Sequence, residues 1–204
     1  IVPLVRGRER SREADEVMEE VNQLVADGVR EVTLLGQNVN SYGKHLPQPQ
    51  NSLPRLLERL DALEGLWRVR FVTNHPADMT EDILQAVAEL DSVCEHLHMP
   101  AQSGSTDVLR RMGRGYTEED YRNLVARTRD MVPGVAVASD FMVGFPGESD
   151  DDFRDTLRMV RELEFQQCYM FKYSPRPGTR AAKWDDDVPE ETKKARHQEL
   201  LSAQ

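Results

Sequence analysis

Cysteine is scarce in this chain: 204 residues hold only Cys94 and Cys168, each inside an apolar, strand-like run. Two thiols so widely separated exclude a disulfide-stapled scaffold and lack the close spacing a zinc site needs, so both read as buried free thiols. Long apolar runs are missing as well. No stretch approaches the ~20 residues that cross a bilayer and no charged-then-apolar leader opens the chain, so no membrane contact and a cytoplasmic location are expected. Positive charge is in deficit. Against 36 Asp and Glu stand 26 Lys and Arg, a net charge of −10, which argues against this stretch alone gripping a phosphate backbone. The first residue is not methionine, and Ile1-Val2-Pro3-Leu4-Val5 reads like the middle of a structured loop. An excised piece of a longer protein is expected.

What is present suits one globule: 39% hydrophobic residues are enough for a sizeable core. Helical and strand-like patterns alternate. Ser11 is placed to cap a helix running to about Asp27, with Val17, Val21, Leu24 and Val25 on one face. Strands follow at 31–35, 68–72, 94–99, 135–143 and 165–173. Helices between them start at Leu53, after Thr80, at Ser105 or Thr106, at the Thr117/Asp120 capping pair and after Ser149. Pro189 opens a last helix. A right-handed series of this kind gives an open doubly wound sheet or a complete or partial barrel. Either architecture gathers function at the carboxyl ends of the strands, so the loops beginning at Gly36, Thr73, Pro100, Gly144 and Ser174 are expected to converge. The Gly36–Ser52 connection, with its Pro/Gln stretch at 46–50, is long for a compact domain.

These loops carry neutral hydrogen-bonding groups in quantity. Gln37, Asn38, Gln102, Ser103, Ser105 and Ser139 offer amides and hydroxyls, while Asp140 and Arg114 add one charge of each sign. Such a set suits a polar, zwitterionic small molecule, with Arg for a carboxylate and Asp for an ammonium or ribose hydroxyls; each amide also has the plain reading of satisfying loop backbone. Gly144-Phe145-Pro146-Gly147-Glu148 lacks the lysine and glycine spacing of a nucleotide-triphosphate loop and is no dinucleotide fingerprint. His96 and His98 share a strand face but have no third ligand nearby in sequence, so they read as inward-packed histidines before metal ligands. Arg6, Arg8, Arg10 and Arg12 form a basic run open to a polyanion or to solvent.

Six blocks, in order along nearly the whole chain, carry a resemblance: residues 1–12, Leu-Leu-Gly-Gln-Asn-Val-Asn-Ser-Tyr-Gly at 34–43, His-Met-Pro-Ala-Gln-Ser-Gly-Ser at 98–105, Arg-Met-Gly-Arg-Gly-Tyr-Thr at 111–117, Ser-Asp-Phe-Met-Val-Gly-Phe-Pro-Gly-Glu at 139–148 and Tyr-Ser-Pro-Arg-Pro-Gly-Thr at 173–179. Together they resemble the core of the radical S-adenosylmethionine (radical SAM) methylthiotransferases, and the 36–43 loop resembles the branch that acts on tRNA. The resemblance implies an α/β fold, a partial (βα)6 TIM-like barrel lacking its first strand, over residues 1–180. Residues 181–204 would be a linker and final helix leading toward an RNA-binding domain. It further implies that a reduced four-iron cluster cleaves S-adenosylmethionine and that the resulting radical leads to a methylthio group on isopentenylated adenosine beside the anticodon. Two [4Fe–4S] clusters, an electron donor and tRNA are the implied cofactors and partners. The family's three cluster cysteines would precede Ile1, so this stretch is expected to bind neither cofactor on its own and to be inactive alone, and Cys94 and Cys168 do not match that motif. Cofactor contacts would fall on Gln37, Asn38, Gln102, Ser103, Arg114, Ser139, Asp140 and Gly144, with no metal ligand in this stretch and the catalytic residues unassigned. A missing first strand is also expected to leave a barrel edge open to self-association. Two alternatives stand beside this: a ribosomal-protein methylthiotransferase of the same family, and a non-catalytic barrel that binds a nucleoside or polar metabolite.

Overall fold

The computed structural model describes residues 7, 9–46 and 51–204, so the opening pentapeptide, Arg6, Arg8 and the Pro/Gln stretch at 47–50 lie outside the described residues. Two compact units divide the chain. The first holds residues 9–98 and 127–136, the second residues 99–126 and 137–204.

In the first unit the order is α1 (Ala14–Ala26), β1 (Glu31–Leu34), α2 (Leu53–Asp61), β2 (Arg68–Phe71), α3 (Glu81–Glu89) and β3 (His96–His98). β1 and β2 run parallel, with Val32 opposite Val69 and Leu34 opposite Phe71. Parallel neighbours need a crossover, and α2 supplies it, burying Leu53, Leu56, Leu57 and Leu60 at helical spacing. Val69 continues the pairing onward as a parallel bridge to Val93. The expected Ser11 cap is not formed. α1 begins at Ala14 with Glu13 at the N-cap position and no side-chain cap, because the Ser11 hydroxyl accepts the Gly43 N–H at 3.0 Å instead. A long-range loop contact has won over a local one.

In the second unit α4 (Thr106–Met112) and α5 (Glu118–Met131) lead to β4 (Ala136–Val143), followed by α6 (Asp150–Leu163), β5 (Gln167–Lys172) and α7 (Glu190–Ala203). β4 and β5 are parallel, Asp140 opposite Tyr169 and Met142 opposite Phe171. On its other edge β4 exchanges hydrogen bonds with the 99–102 segment: Met99 N–H donates to Ala138, Gln102 N–H to Asp140, and Met142 N–H to the Gln102 carbonyl. Strand alternation sends Val137, Ser139, Phe141 and Val143 to one side of β4, where Tyr121 and Phe165 pack. Asp140 and Met142 lie on the opposite face with the half-exposed Tyr169 and Phe171. Three predicted caps form. The Ser105 hydroxyl accepts from Val108 N–H, Thr117 and Asp120 bond reciprocally, and Ser149 with Asp152 makes a complete capping box. α7 packs on β5 and α6.

Of the two cysteines, Cys168 is buried and its thiol is pushed up to about 12 by desolvation. Cys94 is only half-buried, within electrostatic reach of Arg70, so the expectation of two buried thiols is corrected for Cys94. The two units share the α/β pattern of parallel strands joined by helices, without a closed barrel among the described residues.

Gly104 is where two elements of the second unit approach most closely. A Cβ there would stand 2.6 Å from the Asp155 carbonyl oxygen and from Thr156 Cα, both backbone atoms that have no rotamer with which to yield. Gly104→Ala is therefore expected to lower unfolding free energy by about 3 kcal/mol, the upper part of the overpacking range, read as a shifted urea midpoint at unchanged slope.

Candidate functional site

At the carboxyl end of β1, Asn38 Nδ2 donates to Asp78 Oδ2 at 2.6 Å, and Lys44 pairs with the other Asp78 oxygen. Partial burial opposes ionisation of Asp78, but Lys44 and Asn38 outweigh it and hold the carboxyl below its ordinary value. The acceptor role of Asp78 fixes the orientation of the Asn38 amide. Its Oδ1 is then buried with no hydrogen-bond partner among the described residues, as is Asn74 Oδ1 nearby in sequence to Asp78. Asn40 closes the rest of the loop, accepting from His75 N–H and donating to the His75 carbonyl, each at 2.9 Å. Gln37 is exposed. Thr73, at the exit of β2, holds a left-handed backbone (φ 64°), with its hydroxyl donating to the Gly36 carbonyl at 2.8 Å.

In the second unit the loop residues divide by function. Ser139 and Ser103 have no exposed surface. The Ser139 hydroxyl donates to the Met99 carbonyl and accepts from Ala101 N–H at 3.0 Å, and it meets the Tyr121 hydroxyl at 3.2 Å. Ser103 bonds Thr156 and accepts from Ser105 N–H. Both side chains hold the 99–105 turn rather than open space, a distinction the sequence could not make. Gln102 is half-buried with φ 70°, again left-handed. Arg114 is half-buried just past the end of α4, and Asp140 is half-buried on the face of β4 shared with Tyr169. Tyr116 donates to the carbonyls of Pro100 and Ala101, and burial pushes its phenol up to about 12.

Gly144 to Glu148 is held from outside its own segment. Glu148 Oε2 accepts from Gly144 N–H and from Arg196, both at 2.7 Å. Arg196 also donates to the Glu148 carbonyl at 3.1 Å and to Asp150 at 2.6 Å. Burial pushes the Glu148 carboxyl up from its ordinary value, against the Gly144 N–H and Arg196. Gly144 has φ 73°, and a Cβ there would lie 2.3 Å from the Lys193 side chain. Lys193 is itself buried, its ammonium paired with both Asp186 oxygens at 2.5 and 2.6 Å. Arg111 donates to the Pro146 carbonyl, and Gly147 N–H donates to Asp187. Phe145 meets the rings of Tyr173 and Trp184 edge-on. Sequence reasoning did not single out Lys193 or Arg196; buried charge on a helix that reads as polar leaves no apolar signal.

His96 and His98 are half-buried, and burial followed by the charge of Arg70 lowers the pKa of His96. No group of three His, Cys, Asp or Glu among the described residues could hold a metal. The described residues therefore do not fit an iron–sulfur cluster. The uncommitted Asn38 Oδ1 does fit a donor such as the ammonium of an amino-acid cofactor.

The radical SAM superfamily signature matches residues 2–160. The chain belongs to the radical SAM superfamily. Its α/β architecture agrees with solved radical SAM structures: coproporphyrinogen III oxidase from Escherichia coli superposes with a TM-score of 0.63 at 20% identity, covering 93% of this chain and 44% of that one. The radical SAM methyltransferase TsrM from Kitasatospora setae, a structure with cobalamin and a [4Fe–4S] cluster bound, gives 0.62 at 19% identity over 81% of this chain and 31% of that one. Sequence likeness is much stronger to curated relatives. The chain is 53% identical over 203 residues to the tRNA-2-methylthio-N(6)-dimethylallyladenosine synthase of Caldicellulosiruptor saccharolyticus, covering 98% of this chain and 42% of the relative. To that of Carboxydothermus hydrogenoformans it is 50% identical, over 100% of this chain and 46% of the relative. The chain thus spans less than half the length of these relatives. Radical SAM membership implies S-adenosylmethionine and an iron–sulfur cluster as cofactors, and no helix among the described residues is long and apolar enough to cross a membrane.

Two measurements check the geometry of the second unit. Arg196→Met should cost about 3–5 kcal/mol, because it leaves Glu148 buried without its cation, and adding Glu148→Gln should recover part of the loss; urea unfolding of the single and double variants reads both. Asp152 accepts from the Ser105 hydroxyl and from the Ser149 hydroxyl and N–H. Desolvation opposes ionisation there, but these donors outweigh it and lower the carboxyl below 3.8. The stabilisation is complete above the ordinary value and is lost as pH falls through the lower folded value. Asp152→Asn should accordingly flatten the decline of stability with acid below about pH 4, measured by denaturation across pH.

Proposed function

We propose that this chain is the central part of a tRNA methylthiotransferase, which adds a methylthio group to C2 of N6-dimethylallyladenosine next to the anticodon. The observation that carries the reading is 53% identity over 203 residues to a synthase named for that product, far above the 20% at which the solved radical SAM structures share only the fold. The whole enzyme would use S-adenosylmethionine, two [4Fe–4S] clusters held by residues outside the described ones, an electron donor and tRNA. When bound, the reduced cluster and S-adenosylmethionine together would supply the one-electron chemistry, and S-adenosylmethionine the methyl group.

The chain's own residues bind and orient. Asn38 Oδ1, committed to no other group, would accept a hydrogen bond from the cofactor's ammonium, with Asp78 and Lys44 fixing the amide that presents it. Gln37 and Gln102 would add amide contacts, Asp140 would meet ribose hydroxyls and Arg114 the carboxylate. Ser139 and Ser103 would act by fixing the turn that carries Gln102, and Gly144, whose open side Lys193 covers, by setting the exit of β4. The unpartnered Asn38 oxygen supports the part given to Asn38, because a buried amide acceptor without a donor is costly and a hydrogen bond donated to it would satisfy it.

The test uses the full-length enzyme with its clusters reconstituted anaerobically. Incubation with a reductant, S-adenosylmethionine and tRNA carrying dimethylallyladenosine should give the 2-methylthio nucleoside on mass analysis of digested tRNA. Cofactor cleavage with unmodified tRNA, and a mass gain on a ribosomal protein instead, would overturn the assignment. In the same protein Asn38→Leu should raise KM for S-adenosylmethionine about tenfold or more, the worth of one hydrogen bond to a charged group.

A further inference from the structure

We propose that the exposed segment Ser174–Lys183 at the exit of β5 is an RNA phosphate-binding surface, contacting the backbone through Arg176, Arg180 and Lys183. The inference rests on the reading of the chain as an RNA-modifying core and locates where this chain, acidic overall, touches its substrate. Most other cations of the second unit are spent internally. Arg110 pairs with Asp107, Arg122 with Glu118 and Glu162, Arg154 with Asp151, and Arg158 with Asp155. On α7 and β5, Lys172, Lys193, Lys194 and Arg196 also have carboxylate partners. Arg176, Arg180 and Lys183 are exposed, and none has an ion pair among the described residues.

Within its own bounds the segment carries positive charge alone. Residues 174–183, Ser-Pro-Arg-Pro-Gly-Thr-Arg-Ala-Ala-Lys, contain no Asp or Glu. Of the acidic run that follows, Asp186 is paired with the Lys193 ammonium and Asp187 accepts from the Gly147 N–H, while Asp185 is exposed; none of the three forms an ion pair with Arg176, Arg180 or Lys183. The segment is also held in place. Thr179 N–H and hydroxyl both bond the Arg176 carbonyl, Thr179 Oγ1 accepts from Ala182 N–H, and Ala181 and Trp184 pack on the Val108, Phe145 and Tyr173 cluster. Pro175 and Pro177 restrict the backbone on either side of Arg176. An ordered, acid-free stretch with two guanidinium groups suits phosphate oxygens, which Arg bonds in bidentate fashion. Its location at the carboxyl end of a strand places it on the rim where this class of fold gathers its substrates.

Arg12 is engaged by Glu16 and Glu20, and Arg6 and Arg8 lie outside the described residues.

The experiment measures tRNA affinity of the reconstituted full-length enzyme over a series of KCl concentrations, for wild type and for the triple variant Arg176→Gln, Arg180→Gln, Lys183→Gln. Removing one cation from a phosphate lowers the slope of log K against log salt by about 0.7–0.9, so a slope smaller by about 2 and a tenfold or greater loss of affinity at low salt are expected. Thermal stability and tRNA-independent cofactor cleavage should not change. The variant Arg176→Lys, Arg180→Lys keeps the charge and should retain the wild-type slope. A triple variant whose affinity and slope equal wild type, in an enzyme that binds and modifies tRNA, overturns this surface and leaves the functional reading intact; weaker binding seen only for a protein partner, with the tRNA slope unchanged, does the same. Wild type that neither binds nor modifies tRNA overturns the functional reading itself.

Discussion

The second unit depends on one buried contact, the guanidinium of Arg196 against the carboxylate of Glu148. Each group is costly to bury alone, and each is buried. What repays that cost is geometric: a single carboxylate oxygen joins a helix near the end of the chain to the N–H of Gly144, at the point where β4 breaks into its turn. Phe145 then enters the aromatic cluster, and Lys193 closes over the space beside Gly144 that any side chain would fill. The shape of the β4 exit therefore depends on a helix some fifty residues further along as well as on the turn's own Gly144 and Glu148.

The order of strands and helices was legible in the sequence because periodicity and punctuation agree there. β4 alternates, α2 repeats leucine at helical spacing, and Ser105, Thr117 and Ser149 each stand before a helix with the cap acceptor in place. Ser11 looked equally suitable but was drawn to Gly43, a partner no local pattern announces. The side chains of the candidate site were legible as types and not as directions. A hydroxyl at 139 and an amide at 38 read alike in sequence. In the structure the first is consumed by Met99 and Ala101, and the second keeps an acceptor in reserve. Lys193 and Arg196 left no trace, since burial of charge contradicts the statistics from which patterns are read.

Net charge proved a poor guide to where charge is free. Several of the cations are tied up in short ion pairs along helix faces, one turn apart, worth little each and neutral in sum. Subtracting such pairs leaves a few cations without partners in the second unit, and three of them fall on one ten-residue segment. A protein with a formal charge of −10 can in this way still present a local positive surface.

Thr73 and Gln102 sit at strand exits with backbone angles that glycine would adopt freely. Selection for stability alone would favour glycine at both positions, since left-handed backbone costs a side-chain-bearing residue on the order of 1–3 kcal/mol. Thr73 recovers part of this through the Gly36 carbonyl. Gln102, whose backbone is already fixed by Asp140 and Met142, holds its amide at an energetic premium, so tolerance to substitution should be lowest where the fold is least relaxed.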